Sequence, residues 1–178
     1  IVKLNYKNLK STPKYLAIDG IRKLSDHYKD SNKRIINFLK IKPKSNIEYQ
    51  FLKFVKNSLQ IQYKKLLNEF KTEHFLNLKK IKVSRKNFIL SPSDFGFHNI
   101  LQKNEIPFFF DFEYSGLDDP TKLICDFISQ PDQLITKKQE NIFKSIILKK
   151  IKNPKEIEYL IRVFLPFYKL KWCCIILN

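Results

Sequence analysis

The stretches SPSDFGFHNIL, residues 91–101, and FFFDFEYSGLDDP, residues 108–120, hold the most distinctive pattern in this chain. An Asp and an Asn are separated by four residues, and an apolar run then ends in a second Asp. The apolar runs are rich in residues that favour strands, whereas the polar residues between them favour turns. The pattern predicts short strands over 88–90, 99–101 and 106–110, with polar residues at their ends.

The remainder of the chain predicts helices, so the expected fold class is α+β and mostly α-helical. Between Ile47 and Phe70, apolar residues recur every three or four positions, as on one face of a long amphipathic helix. Shorter helices are expected over 15–28 and 33–41, divided by a polar break at residues 30–32.

Three further helices are expected to start after the strands. Asp119, followed by proline, is a typical N-cap. Thr136 and Gln139 have the spacing of a capping box. Pro154 opens the third helix, which Pro166 is expected to bend or end.

These predictions describe a single domain spanning residues 1–178. It is expected to be helical over 1–85, to contain a β-hairpin region over 86–118, and to be helical again over 119–178.

The composition narrows the function classes. The chain has 178 residues, of which 43% are apolar, so it is long enough to bury a core. Lysines interrupt every apolar run before it reaches the length of a membrane helix, and no signal peptide is visible. The three cysteines, two of them adjacent, form neither a disulfide framework nor a metal knuckle. We therefore expect a cytoplasmic protein without a membrane partner.

The net charge of +17 raises the question of nucleic-acid binding. Of the 34 basic residues, 30 are lysines spread along the whole chain. Bidentate recognition of phosphates and bases favours arginine, so nucleic acid is not the expected partner. A basic helical protein that binds a polyanion stays open as an alternative.

The spaced polar residues suit metal-assisted chemistry. The loop over 102–105 is short enough to turn the chain back and bring Asn99 and Asp111 side by side. Oxygen ligands of this kind suit Mg²⁺, whose coordination is completed by waters and substrate phosphates. Asp94 is then free to accept a proton from an attacking hydroxyl.

This pattern resembles that of the aminoglycoside phosphotransferase and choline kinase family of small-molecule kinases. Their base Asp, the Asn five residues later, and a strand ending in Asp-Phe/Trp-Glu are matched by DFGFHN over 94–99 and FDFEY over 110–114. Protein kinases have glycine at the position of Glu113, so the small-molecule branch fits better. The resemblance implies a protein-kinase-like C-terminal lobe with a short β-hairpin catalytic region.

The resemblance also implies roles for individual residues. Asp94 is the expected catalytic base, and Asn99 and Asp111 are the expected ligands of Mg²⁺, with ATP as co-substrate. Glu113 has either a place beside the site or a structural hydrogen bond. His98 is expected to pack in the loop, and the role of Asp119 is explained by its N-cap position.

The implied function is an ATP-dependent phosphotransferase that transfers phosphate to a hydroxyl of a small molecule, with the acceptor left open. The glycines Gly20, Gly96 and Gly116 are isolated, so no glycine-rich phosphate loop is present in these 178 residues. We therefore expect the N-terminal nucleotide lobe to be absent from this chain. A catalytically inactive remnant of such a kinase is a further alternative. Gly96 is expected to permit a tight turn between the base and the first metal ligand.

Overall fold

The computed structural model describes residues 15–74, 78, 81, 83–131 and 134–178. Within them the protein is α+β and mostly helical, as predicted. The parts of the predicted helical region at 1–14, 75–77, 79–80 and 82 lie outside the described residues. The helices are α1 (Asp26–Leu39), α2 (Asn46–Phe54), α3 (Gln60–Glu69), α4 (Pro120–Ser129), α5 (Lys137–Leu148) and α6 (Pro154–Ile176). The strands are β1 (Ile89–Ser91), β2 (Ile100–Lys103), β3 (Ile106–Phe109) and β4 (Gly116–Asp118).

The chain divides into two compact units. The first contains residues up to 22 together with 83–162, and the second contains residues 23–82 together with 163–178. All four strands, α4 and α5 belong to the first unit, whereas α1, α2 and α3 belong to the second. Helix α6 contributes its first part to the first unit and its remainder to the second.

The first unit contains two antiparallel pairs of strands, β1 with β4 and β2 with β3. Strands β1, β2 and β3 confirm the three predicted strands to within two residues. Strand β4 was not predicted, and neither was the parallel bridge between Leu16 and Leu117. This bridge explains why the helix expected over 15–28 is wrong for its first part: Ala17 N donates to Leu117 O at 3.0 Å, so the backbone there pairs with a strand.

A two-residue turn closes the β2–β3 hairpin. Lys103 pairs with Ile106, and the two residues between them, Asn104 and Glu105, have left-handed φ angles of 49° and 63°. This is the conformation of a type I′ turn, whose twist matches that of the flanking strands. The predicted hairpin is therefore confirmed, with a loop shorter than the expected 102–105.

Helix α1, in the second unit, continues through the predicted break at residues 30–32. The Ser31 side chain is buried and donates to Phe167 O at 2.7 Å. The prediction was wrong because it assumed that the polar side chains would bond their own backbone. A contact with a residue distant in sequence satisfies Ser31 instead.

The long amphipathic helix predicted between residues 47 and 70 is present, with π-helical turns at Val55–Leu59 and Phe70–His74 following α2 and α3. Within this helix Val55, Leu59, Tyr63 and Phe70 are buried, as expected. A four-residue spacing overshoots a turn of about 3.6 residues, and the wider π-helical turn absorbs part of that drift. Ile47 was predicted to lie on the same face, but it is 79% exposed.

The predicted helix starts of the C-terminal part are confirmed. Asp119 caps α4, Thr136 and Gln139 form a capping box on α5, and α6 begins at Pro154. Helix α6 does not end at Pro166, however, but continues to Ile176.

Helix α6 continues past Pro166 because of the aromatic residues that flank the proline. Phe164 and Phe167 are buried there among aromatic residues of the second unit, Tyr28 and Phe70 included. Their burial offsets the backbone hydrogen bond that a proline removes. No helix among the described residues has the length and apolar character needed to cross a membrane.

Candidate active site

Asp94 lies in the loop that follows β1. Its side chain is 50% exposed, and its backbone N–H donates to Pro92 O at 2.9 Å. The Nε2 atom of His98 lies 3.4 Å from Asp94 Oδ2. His98 was expected to pack in the loop, but its ring contacts the predicted catalytic carboxylate. The Asp94 carboxylate is thus open to solvent and has a titratable neighbour.

Asn99 ends a short 3₁₀ turn, Phe97–Asn99, immediately before β2. It is only 7% exposed, and its Nδ2 atom donates to Asp94 O at 3.0 Å. This hydrogen bond holds two of the predicted site residues together. Because it occupies the amide nitrogen, the amide oxygen is the atom of Asn99 suited to a cation.

Asp111 follows β3 at the same end of the hairpin. Phe110 N donates to Asn99 O at 3.2 Å, so the hydrogen-bonded ladder extends one residue beyond the strands. Asp111 has a left-handed φ of 61°, which is uncommon for any residue except glycine. The chain therefore turns sharply at Asp111, and the three predicted residues lie around one end of the hairpin.

Two further acidic residues of the pattern, Asp119 and Glu113, have structural partners. Asp119 is buried, and its Oδ1 accepts from Thr121 N at 2.7 Å as the N-cap of α4. Glu113 is exposed, and its charge and hydrogen bond raise the pKa of Tyr114.

A buried ionic cluster lies against the loop that carries Asp94. The Nζ atom of Lys122 lies 3.4 Å from Asp118 Oδ2 and 3.9 Å from Asp126 Oδ2, and it donates to Ser93 Oγ at 2.8 Å. All four residues are at most 7% exposed. Burial raises the pKa of Asp118, although the Lys122 charge acts in the opposite direction.

The cluster was missed by sequence reasoning. Its signal was the spacing Asp-x3-Lys-x3-Asp over 118–126, in which Lys122 and Asp126 lie one turn apart on α4 and Asp118 ends β4. Such spacing is ordinary on exposed helices, so burial was the missing information.

A second hydrogen bond, from the residue after α4, reaches Phe95, which follows Asp94 in the chain. Gln130, just after α4, donates from Nε2 to Phe95 O at 3.0 Å. Gly96 lies at a bend, and its carbonyl accepts from Asn99 N at 3.1 Å, so the expected tight turn is present, but its φ of −152° is one that any residue can adopt. A Cβ at residue 96 would lie 2.6 Å from Gln130 Cδ, so the glycine is required by the close approach of that side chain.

Aromatic side chains surround the loop and extend onto the hairpin. The Phe95 ring packs against the rings of Phe109, Phe127 and Phe143, with centroids 5.5 to 5.9 Å apart. Other apolar side chains of this region are 39% to 64% exposed, namely Leu101, Ile106, Phe108, Phe110, Phe112 and Tyr114.

Comparison of the chain with models of protein families, with curated proteins and with solved structures found no match. Among the described residues, no group of three or more His, Cys, Asp and Glu side chains is arranged to hold a metal ion.

Proposed function

We propose that this chain is the catalytic lobe of a cytoplasmic, Mg²⁺- and ATP-dependent phosphotransferase that transfers phosphate to a hydroxyl of a small molecule. The observation that carries the proposal is the contact of Asn99 with both neighbouring segments. Its side chain bonds Asp94 O, and its carbonyl accepts from the residue before Asp111. These two bonds support the proposal because they join the segments that carry the proposed base and the two proposed oxygen ligands.

Asp94 is the proposed general base. An acceptor hydroxyl must approach its proton acceptor to hydrogen-bond distance, and the half-exposed carboxylate of Asp94 allows this. The transferred phosphoryl group needs little covalent help from the protein, so orientation of the attacking oxygen is the principal contribution of this residue.

Asn99 and Asp111 are the proposed ligands of Mg²⁺. Both offer oxygen atoms, and Mg²⁺ bound by one or two protein side chains keeps sites for water and for the phosphates of ATP. When bound, the ion neutralises the charge that develops on those phosphates. The left-handed backbone of Asp111 fits a functional position, because uncommon conformations persist where the surrounding structure requires them.

The test is a transfer assay with the chain and with the full product of its gene. Each protein is incubated with Mg²⁺, ATP and hydroxyl compounds of different classes, including amino alcohols, sugars and aminoglycosides, and phosphorylated products are identified by mass spectrometry. We expect Asp94→Asn to lower kcat by about a hundredfold or more. Asn99→Ala and Asp111→Asn should raise the Mg²⁺ concentration needed for half-maximal activity.

Glu158→Gln is the matched control, because Glu158 is an exposed acid on α6. It should retain full activity. If the full gene product neither binds Mg²⁺-ATP nor forms any product, the enzyme proposal fails and the inactive-remnant alternative stands. If the full product is active and the chain is not, the proposal holds for the chain as a lobe of that product.

A further inference from the structure

Helix α4 and the residue after it contact the residues on both sides of Asp94, through side chains that have no part in the proposed chemistry. Lys122, in its first turn, donates to Ser93 Oγ at 2.8 Å. Gln130, just beyond its last residue, donates to Phe95 O at 3.0 Å. The residues immediately before and after Asp94 are therefore both tied to one rigid helix.

Ser93 requires such a tie because of its backbone. Its φ of 67° lies in the left-handed region, which is unfavourable for a residue other than glycine because of its Cβ. The Ser93 N–H donates to Ser91 Oγ at 3.1 Å, and both serines are buried. A strained conformation at the residue before a proposed base persists only when its surroundings hold it in place.

Lys122 is itself held in place by acidic partners. Its ammonium lies between Asp118 and Asp126, at 3.4 and 3.9 Å, and its side chain is 9% exposed. Asp118 is in turn fixed because its Oδ1 accepts from Ile21 N and Asp119 N, both at 2.8 Å. A buried lysine with this support has little freedom, so its hydrogen bond to Ser93 has a defined direction.

We propose that Lys122 is a positioning residue that acts through Ser93 to hold Asp94 in the orientation needed for phosphate transfer. The inference rests on the proposed function for its catalytic meaning, whereas the restraint on the loop is a property of the chain alone. Lys122 itself touches neither the acceptor nor the metal in this assignment.

Two variants remove the hydrogen bond from opposite ends. Ser93→Gly removes the acceptor, and glycine tolerates the left-handed φ, so the fold should be retained. Lys122→Met removes the donor, and combining it with Asp118→Asn neutralises the nearer of the two buried carboxylates that would otherwise lose their cation. The amide introduced by Asp118→Asn keeps a side-chain oxygen for the two backbone N–H groups. Lys155→Met, at an exposed position on α6, is the control for loss of a lysine.

The first measurement is hydrogen exchange at the amide of Asp94, which donates to Pro92 O in the folded chain. After correction for intrinsic rates, we expect exchange about tenfold faster in Ser93→Gly and in the double variant, since a hydrogen bond to a charged group restrains the loop. The rate in Lys155→Met should equal that of the unchanged chain. Equal rates in all four proteins would overturn the proposal.

The second measurement separates positioning from general support of the fold. In the active gene product, both variants should lower kcat by about ten- to a hundredfold and leave KM for Mg²⁺-ATP unchanged, because Asn99 and Asp111 are intact. An unchanged kcat would overturn the catalytic part of the inference. If the unchanged gene product itself has no activity, the proposed function fails, and the exchange rates alone decide whether Lys122 restrains the loop.

Discussion

The two small sheets of the first unit each have two antiparallel strands, but different interactions hold them. In the β1–β4 pair, Ser91, Gly116 and Asp118 are buried, and Asp118 joins the ionic cluster with Lys122. In the β2–β3 hairpin, every strand residue after Ile100 is exposed. The first sheet depends on side chains from elsewhere in the unit, whereas the second depends on its turn and its backbone hydrogen bonds.

The residues of the proposed site adjoin both sheets. Asp94 follows the buried sheet, whereas Asn99 and Asp111 flank the exposed hairpin. A hairpin of two strands is only marginally stable alone. The bond between Phe110 and Asn99 lengthens its ladder, and the stacking of Phe95 on Phe109 attaches it to the unit. The comparison implies that damage to the buried sheet should cost far more stability than damage to the hairpin.

The largest effect is expected for Asp118→Ala. Removing one partner of a buried ion pair leaves Lys122 short of an acceptor and deprives Ile21 N of its own, so the free energy of unfolding should fall by about 3 to 5 kcal/mol. Urea unfolding followed by circular dichroism measures the change. Asp118→Asn keeps an oxygen for both backbone donors and should cost clearly less. Equal losses in the two variants would contradict the ionic explanation.

The next largest effect is the loss of stability when alanine replaces glycine, and it should differ between Gly116 and Gly96. A Cβ at Gly116 would lie 2.6 Å from the carbonyl carbon of Leu16, which is backbone and cannot move without breaking the bridge to Leu117. A Cβ at Gly96 meets the side chain of Gln130, which has rotamers to adopt. Gly116→Ala should therefore lower the free energy of unfolding by about 1 to 3 kcal/mol. Gly96→Ala should lower it by less, and urea unfolding measures both changes. Gly96→Ala combined with Gln130→Ala should recover part of the loss, and the reverse order of the two glycines would refute this account.

A smaller effect of opposite sign is expected in the hairpin turn. Glu105 has a φ of 63°, and Asn-Gly is the preferred sequence of a type I′ turn. Glu105→Gly should therefore raise the free energy of unfolding by about 1 kcal/mol. Gln102→Gly, within β2, is the control and should lower it by a similar amount. Thermal unfolding of both variants tests the assignment, which a loss of stability in Glu105→Gly would contradict.

The smallest effect is a pH dependence of the buried sheet. Burial raises the pKa of Asp118 above its ordinary value of 3.8, so the native state binds more protons than the unfolded state in the interval above that value. The free energy of unfolding contributed by this carboxyl therefore falls as the pH rises through the interval. The stability that Asp118→Asn loses relative to the unchanged chain should therefore become smaller as the pH rises from acid to neutral.

Glu140, on α5, is the control, because its pKa is shifted in the direction opposite to that of Asp118. Burial would raise its pKa, but hydrogen bonds from Lys137 and Lys144 outweigh burial and lower it below the ordinary 4.5. Its stabilising contribution is present above that value and is lost as the pH falls through the lowered pKa. Urea unfolding of Glu140→Gln should show the loss at neutral pH, and parallel curves for both variants would contradict the two assignments.

Features that depend on neighbouring residues could be predicted from the sequence. Asp119 and Thr136 were assigned as N-caps because a cap bonds backbone groups within three residues. The hairpin could also be predicted, since a short polar segment between two apolar runs permits few conformations. The candidate residues Asp94, Asn99 and Asp111 were chosen from their spacing and from the family resemblance, and their roles stay a prediction.

Features that depend on distant partners were missed or mistaken. Ser31 was predicted to break α1, yet its hydroxyl bonds a carbonyl 136 residues away. Strand β4 has too few apolar residues to be recognised, and it forms because β1 and the segment around Leu16 supply its hydrogen bonds. Gly96 does start a turn, as interpreted, but the crowding of a side chain there by the distant Gln130 was missed.

The sequence by itself determined that the chain is mostly helical, where the helices after the strands begin, and that a hairpin follows the Asp-x4-Asn pattern. Local hydrogen bonds and residue conformations specify these features, and they are encoded within a few positions. Tertiary structure alone decided that Lys122 would be buried and directed at Ser93, 29 residues earlier, and that Asp118 would accept from Ile21, 97 residues earlier. The physical reason is that an Asp-x3-Lys-x3-Asp spacing is ordinary in a sequence. Only burial, which is a property of the folded chain, makes these charges bind one another and Ser93.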